Sequence, residues 1–279
     1  MITRWFLLTA LATAGLAFAQ GGTDGPFPPH RIADNLYYVG SKNLASYLIT
    51  TKEGHILINS GYARTVPIII GNVLKLGFKT TDVKILLASH AHSDHVEGMA
   101  SLQEVTGGRV WAMEGDDAVM AQGGKGQYFY TDHWAPVRVD RVLHDGDTVT
   151  LGGVVLTAHL TPGHTRGCTT WTLKAKDKGK TYDVVIVGSA NVNSGFQLAG
   201  NTAYPEIADD FARTFRVLKS LHCDIFLGAH GNYYDLEEKY AQLKVGVKGN
   251  PFVDPEGYKT YIAGREKLYL DTLAKQAKR

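Results

Sequence analysis

The chain has 279 residues, 44% hydrophobic and 20% charged, with a formal net charge of +2. That apolar content excludes a disordered chain, and the length suits one large domain or two small ones. No basic stripe or acidic tail stands out, which argues against a nucleic-acid partner.

The N-terminus reads MITRWFLLTALATAGLAFAQ. Arg4 precedes an apolar run from Trp5 to Leu16 and the small-x-small triplet Ala17-Phe18-Ala19. Residues 1–19 are expected to be a signal peptide, which leaves residues 20–279 as one mature domain. A membrane anchor is the alternative, but the run is short for a span. Without Arg4, 28 basic residues face 27 acidic ones. Export implies an oxidising compartment, and a periplasmic location is expected. The two cysteines, Cys168 and Cys223, could pair or remain buried free thiols.

After a polar lead-in, GGTDGPFPPH, the segments NLYYVGS, NLASYLITT and HILINSG read as strands. VPIIIGNVLKLGF has helical spacing of Ile69, Val73 and Leu76, closed by Gly77. VKILLAS is a continuous apolar run suited to a strand buried on both faces. VEGMASLQEVTGG reads as a helix, RVWAM as a strand, and MAQGGKGQYFYTDHW as a long surface loop. RVLHDGDTVTLGGVVLTAHLT reads as strands joined by Asp-Gly and Gly-Gly turns, and CTTWTLKAKDKGKTYDVVIVGSA as a hairpin. EIADDFARTFRVLKSL is an amphipathic helix, DIFLGAH a buried strand, and the last 23 residues a terminal helix. The mixture predicts one α/β or α+β body, with two sheets inside and helices outside.

The chemistry concentrates at strand ends. KILLASHAHSDHVEGM places His90, His92, Asp94 and His95 straight after an apolar strand. His164 lies in a Pro-Gly turn after VVLTAHL, Ser189 and Asn191 follow VVIVG, and His230 follows DIFLGA. Imidazole nitrogens and carboxylate oxygens are good zinc ligands, and a catalytic zinc takes about three protein ligands plus an open position. Six such residues suit two zinc ions. The two-residue step keeps His90 and His92 on one side of an extended backbone, so they can share one ion. Asp94 and His95 enter the following helix and can face a second. A solvated charged loop is the competing reading of this dense cluster. His55, His144, His159 and His222 read as packed or surface residues.

HAHSDH, His164 in TPGHT and His230 in GAH together resemble the metallo-β-lactamase superfamily, from about residue 30 to the end. The resemblance implies a four-layer αββα sandwich, with the metals in a groove at one edge. It makes residues 20–279 a catalytic domain of that fold. Glyoxalase II enzymes, lactonases and phosphodiesterases usually carry a metal-bridging Asp where this chain has Ser189, and subclass B1 and B2 β-lactamases carry Cys there. Ser189 resembles subclass B3. That likeness implies His90, His92 and His164 on the first zinc, and Asp94, His95 and His230 on the second. It further implies a hydroxide held by two zinc ions that opens the β-lactam ring of penicillins, cephalosporins or carbapenems. Catalytic roles then fall to Asp94, His90, His92 and His164, and Ser189 and Asn191 become candidates for holding the antibiotic's carboxylate. Cys223 sits where several B3 enzymes have half of a disulfide, but this chain has no C-terminal partner for it.

The expected partner is a small molecule, with no membrane association after signal cleavage, and the chain is expected to be monomeric. Three other readings stand beside this one. They are a lactonase or other ester hydrolase on the same di-zinc scaffold, a non-catalytic zinc-binding protein, and an iron-dependent redox member of the superfamily. The last uses more carboxylate ligands than this chain offers. Around the groove, Tyr128, Phe129, Tyr130 and Trp134 are candidates for contacting apolar substrate groups or for packing under their loop.

Overall fold

The computed structural model describes residues 24–278, so the expected signal peptide lies outside the described residues. The strands are β1 (His30–Ala33), β2 (Leu36–Tyr38), β3 (Tyr47–Thr51), β4 (Gly54–Ile58), β5 (Val83–Leu87), β6 (Arg109–Met113), β7 (Val139–Leu143), β8 (Thr148–Leu151), β9 (Val154–Leu160), β10 (Thr169–Asp177), β11 (Lys180–Val187) and β12 (Ile225–Gly228). The helices are α1 (Val66–Lys75), α2 (Ser93–Val96), α3 (Met99–Thr106), α4 (Asp117–Ala121), α5 (Ile207–Ser220), α6 (Leu236–Lys244) and α7 (Pro255–Gln276). One sheet runs β1 to β7 in sequence order, and the other runs β12-β11-β10-β9-β8.

Side-chain alternation sorts the core into layers. Tyr47, Ile49, Ile56, Ile58, Ile85 and Leu87 join the core shared with the second sheet. Leu48, Leu57 and Leu86, which alternate with them, pack under α1 and α3 with Val66, Ile69, Val73, Met99 and Leu102. Both faces of these strands are apolar because both are covered. On the far side, α5 contributes Phe211 and Phe215, and α7 contributes Tyr261 and Ile262. Burying each phenylalanine contributes about 1.5–3 kcal/mol. The result is the expected sandwich of helix, sheet, sheet and helix.

The hairpins follow their turns. Gly152-Gly153 joins β8 to β9 and Lys178-Gly179 joins β10 to β11, each with two positive φ angles, as a two-residue hairpin turn requires. The Asp145-Gly146 turn behaves differently from its sequence reading. β7 pairs with β6 and β8 with β9, so this turn carries the chain from one sheet to the other instead of closing a hairpin. The single helix expected over residues 96–108 is split at Gly98. A Cβ there would sit 2.4 Å from Val66 and 3.0 Å from the Ser60 carbonyl, so this close approach admits only glycine. The strand β1 falls partly in the expected polar lead-in, and α6 had no sequence reading.

Strand direction builds the site. β4 to β7 are mutually parallel, so the loop after β5 leaves from the same edge as those after β4 and β6. In the second sheet β9, β11 and β12 also point one way. The two edges are joined there: Thr169 N donates to Ser89 O at 2.7 Å, and the Trp171 indole donates to Ala88 O at 3.1 Å. Residues from four strand ends therefore meet.

Candidate metal centre

All six expected ligands converge. His90, His92 and His164 present ligand atoms within 4.8 Å of one another, as do His90, Asp94 and His95. His230 completes the second group: its Nε2 lies 3.1 Å from His95 Nε2 and 3.4 Å from Asp94 Oδ2, and the same carboxylate oxygen is 3.4 Å from His95 Nε2. His90 stands between the groups, its ring centroid 4.6 Å from that of His164 and 4.2 Å from that of His95. Asp94 and His95 are carried by α2 itself, whose single turn follows His92.

Burial sets the charge state. Desolvation lowers the pKa of His90 and His92 well below the usual imidazole range, takes His95 and His230 down to about 3, and lowers His164. The rings are therefore neutral, each with a lone pair. Burial also raises the pKa of Asp94, against the pull of His230. The His90 Nε2 atom is buried with no hydrogen-bond partner. Five neutral imidazoles, one carboxylate and an orphaned ring nitrogen fit divalent metal ions better than they fit each other.

The surroundings orient the rings. His164 Nδ1 donates to the Asn191 carbonyl at 2.8 Å, which leaves its Nε2 lone pair free. Asp116, absent from the sequence reading, is a buried carboxylate behind the centre. It accepts from Ala91 N at 2.8 Å, Thr165 Oγ1 at 2.7 Å and Gly167 N at 2.9 Å. It thus ties the His90–His92 loop to the His164 loop. Burial, the largest influence, raises its pKa to about 6. Its role is invisible locally, since all three partners are distant in sequence.

Ser189 departs from its expected role. It is fully buried, and its hydroxyl is engaged with Tyr233 OH at 3.2 Å and Asn191 N at 3.3 Å. It supports the site from beneath and offers no free hydroxyl to a ligand. Asn191 is half-buried, its amide bonded to Tyr233 OH at 2.8 Å. Tyr233, also missed in sequence, organises both residues.

One wall is aromatic. The Tyr130 ring stands 4.7 Å from that of His92, and Tyr130 OH accepts from Asn193 at 2.7 Å. Phe196 packs against Tyr128 and Phe129 at 5.1 and 5.0 Å, and against His164 at 5.9 Å. Trp134 instead is buried in the core under the helices. Of the other histidines, His159 bonds Thr172 at 2.8 Å, and His144 is exposed and bonds Glu114. His222 approaches Asp183 and Asp224 on the surface, but Lys174 already pairs with Asp183 at 2.6 Å. Both cysteines are buried and free.

The metallo-β-lactamase superfamily model matches residues 43–230. Among solved structures, the FEZ-1 metallo-β-lactamase from Legionella gormanii is 50% identical with a TM-score of 0.90, over 92% of this chain and 99% of that one. BJP-1, a subclass B3 metallo-β-lactamase of Bradyrhizobium japonicum, is 38% identical with a TM-score of 0.85, over 91% of this chain and 96% of that one. A hydroxyacylglutathione hydrolase of Methylobacterium nodulans is 35% identical over 89 residues, 32% of this chain. The chain spans only 38% and 27% of the length of two curated relatives that it matches. With the matched model covering the strand-end ligands, and whole-length structural relatives among subclass B3 enzymes, the chain belongs to the metallo-β-lactamase superfamily of metal-dependent hydrolases.

Proposed function

We propose that the chain is a periplasmic, monomeric zinc hydrolase that opens β-lactam rings. The observation that carries this reading is the ligand geometry together with Ser189: two groups of three ligands sharing one groove, with no carboxylate after β11 to bridge them. His90, His92 and His164 would hold one zinc, and Asp94, His95 and His230 the other. Bound zinc supplies Lewis acidity, which activates water and polarises a carbonyl. The protein's own residues do the rest. Asp94, 23% exposed at its side chain, faces the groove and can take a proton from attacking water. Asn191, half-buried beside His164, donates one amide N–H to Tyr233 OH and keeps a second that would serve a substrate carboxylate. Tyr130 and Phe129 line one wall and face apolar substituents, and the buried Phe196 backs them from the core.

The test is hydrolysis of a carbapenem and a cephalosporin by the purified mature chain, followed by loss of ring absorbance. Turnover that chelation abolishes and zinc restores is expected. No turnover by a folded, zinc-loaded chain would sink the reading. A lactone and a thioester belong in the same assay, because the similarity to hydroxyacylglutathione hydrolase favours an ester-hydrolysing alternative. Recovery from the periplasmic fraction, with a new N-terminus at Gln20, tests the export proposal. Light scattering tests the monomer.

A further inference from the structure

His230 is held differently from the other ligands. Its Nδ1 lies 3.3 Å from the side-chain nitrogen of Asn43. That amide has no freedom to be read the other way round. Its other terminal atom is 3.0 Å from the backbone N of Asn232, which only donates, so that atom is the oxygen. The group facing His230 is then the NH2, and His230 Nδ1 must accept. A neutral imidazole accepting at Nδ1 carries its proton on Nε2. This N–H points into the centre, toward His95 Nε2 and Asp94 Oδ2. The Asn43 backbone is pinned as well, because Gly231 N donates to its carbonyl at 2.8 Å.

A metal binds the ring lone pair, not the N–H. His164 already has the tautomer that ligation through Nε2 requires, and the His90 Nε2 atom is free. In the second group, ligation through Nε2 demands that His230 move its proton to Nδ1 and that the Asn43 amide turn over. His95 adds to the difficulty, since its Nδ1 is buried with no partner to receive a proton there.

We propose that Asn43 is a positioning residue that biases His230 against ligation, so that the His90–His92–His164 group fills first and the Asp94–His95–His230 group fills second and more weakly. The inference rests on the reading that these groups hold two zinc ions, but its test needs no substrate. Imidazole 15N spectra of the metal-free protein should show the proton on Nε2 of His230 and on Nδ1 of His164. Zinc titration against a chromophoric chelator should show two events, the second at least about tenfold weaker, within the reach of an outer-shell hydrogen bond. Asn43→Asp still accepts from Asn232 N and offers His230 Nδ1–H an acceptor. It should move the His230 proton to Nδ1 in the metal-free protein and tighten the second event by roughly 10–100-fold, leaving the first unchanged. Asn43→Ala, which adds no charge, should tighten it less.

A wild-type His230 already protonated on Nδ1 would overturn the proposal. So would tightening in Asn43→Asp with no tautomer change, which would reveal a simple charge effect. A second event unmoved in both variants would overturn it too, as would a chain that never takes a second zinc. A chain that loads zinc in this order yet opens no β-lactam would leave the inference standing and sink only the proposed substrate.

Discussion

Asp116→Ala tests how the centre is held together. The substitution removes a carboxylate that accepts three hydrogen bonds of 2.7–2.9 Å. It strands the backbone N–H groups of Ala91 and Gly167 in a buried site, together with the Thr165 hydroxyl. An unsatisfied buried donor costs about 1–3 kcal/mol, so the two backbone groups alone predict a loss of roughly 2–6 kcal/mol. At about 2–4 °C per kcal/mol, the midpoint of thermal unfolding should fall by roughly 10 °C. The lost link joins the two loops that carry His90, His92 and His164, so metal affinity should fall by about 10–100-fold. Asp116→Asn can keep its oxygen toward Ala91 and Thr165 and forfeit only the Gly167 bond, so both effects should shrink. Calorimetry of the metal-free protein and competitive zinc titration read the two quantities separately. A folded Asp116→Ala chain with unchanged zinc affinity would refute the reasoning, because the loops would then hold their ligands unaided.

Gly163→Ala should weaken zinc binding and cost about 1–3 kcal/mol, since φ is +114° and the new Cβ would sit 2.8 Å from the Phe211 ring; wild-type affinity would show that the His164 turn tolerates the shift. Tyr130→Phe removes only the Asn193 bond and should raise KM for bulky substrates more than it lowers kcat, while an equal fall in kcat and kcat/KM would place Tyr130 in the chemistry instead. His30 is stacked between Tyr38 and Phe252, and burial takes its pKa down to about 4 from 6.5. Here the unfolded chain binds the proton more readily. Its contribution is complete above about pH 6.5 and is lost as pH falls toward 4, by roughly 3 kcal/mol in all. His30→Phe should flatten urea stability across that window, and an unchanged slope would mean that other groups carry the acid sensitivity.

Much of this protein is legible in its sequence because the signals are local. Continuous apolar runs such as VKILL mark strands covered on both faces, and Gly-Gly and Lys-Gly turns specify their hairpins. The ligands stand at strand ends, where a two-residue step and a following helical turn are visible as spacing in the sequence. Other features depend on groups far apart in sequence. The Asp-Gly turn at residues 145–146 has the chemistry of a hairpin, and only the pairing of β7 with β6 makes it a crossing between sheets. Gly98 divides a helix because Val66 and Ser60 arrive against it. Ser189 has the residue type of a ligand contact, but Tyr233 claims its hydroxyl. Asp116 and Asn43 have no motif at all, since each acts through partners that only folding brings near. The sequence by itself determined which side chains could form the centre, because composition and spacing are properties of the strand ends. Which nitrogen of each ring faces the metal was decided by the tertiary structure, since a tautomer depends on the hydrogen-bond partner that packing delivers.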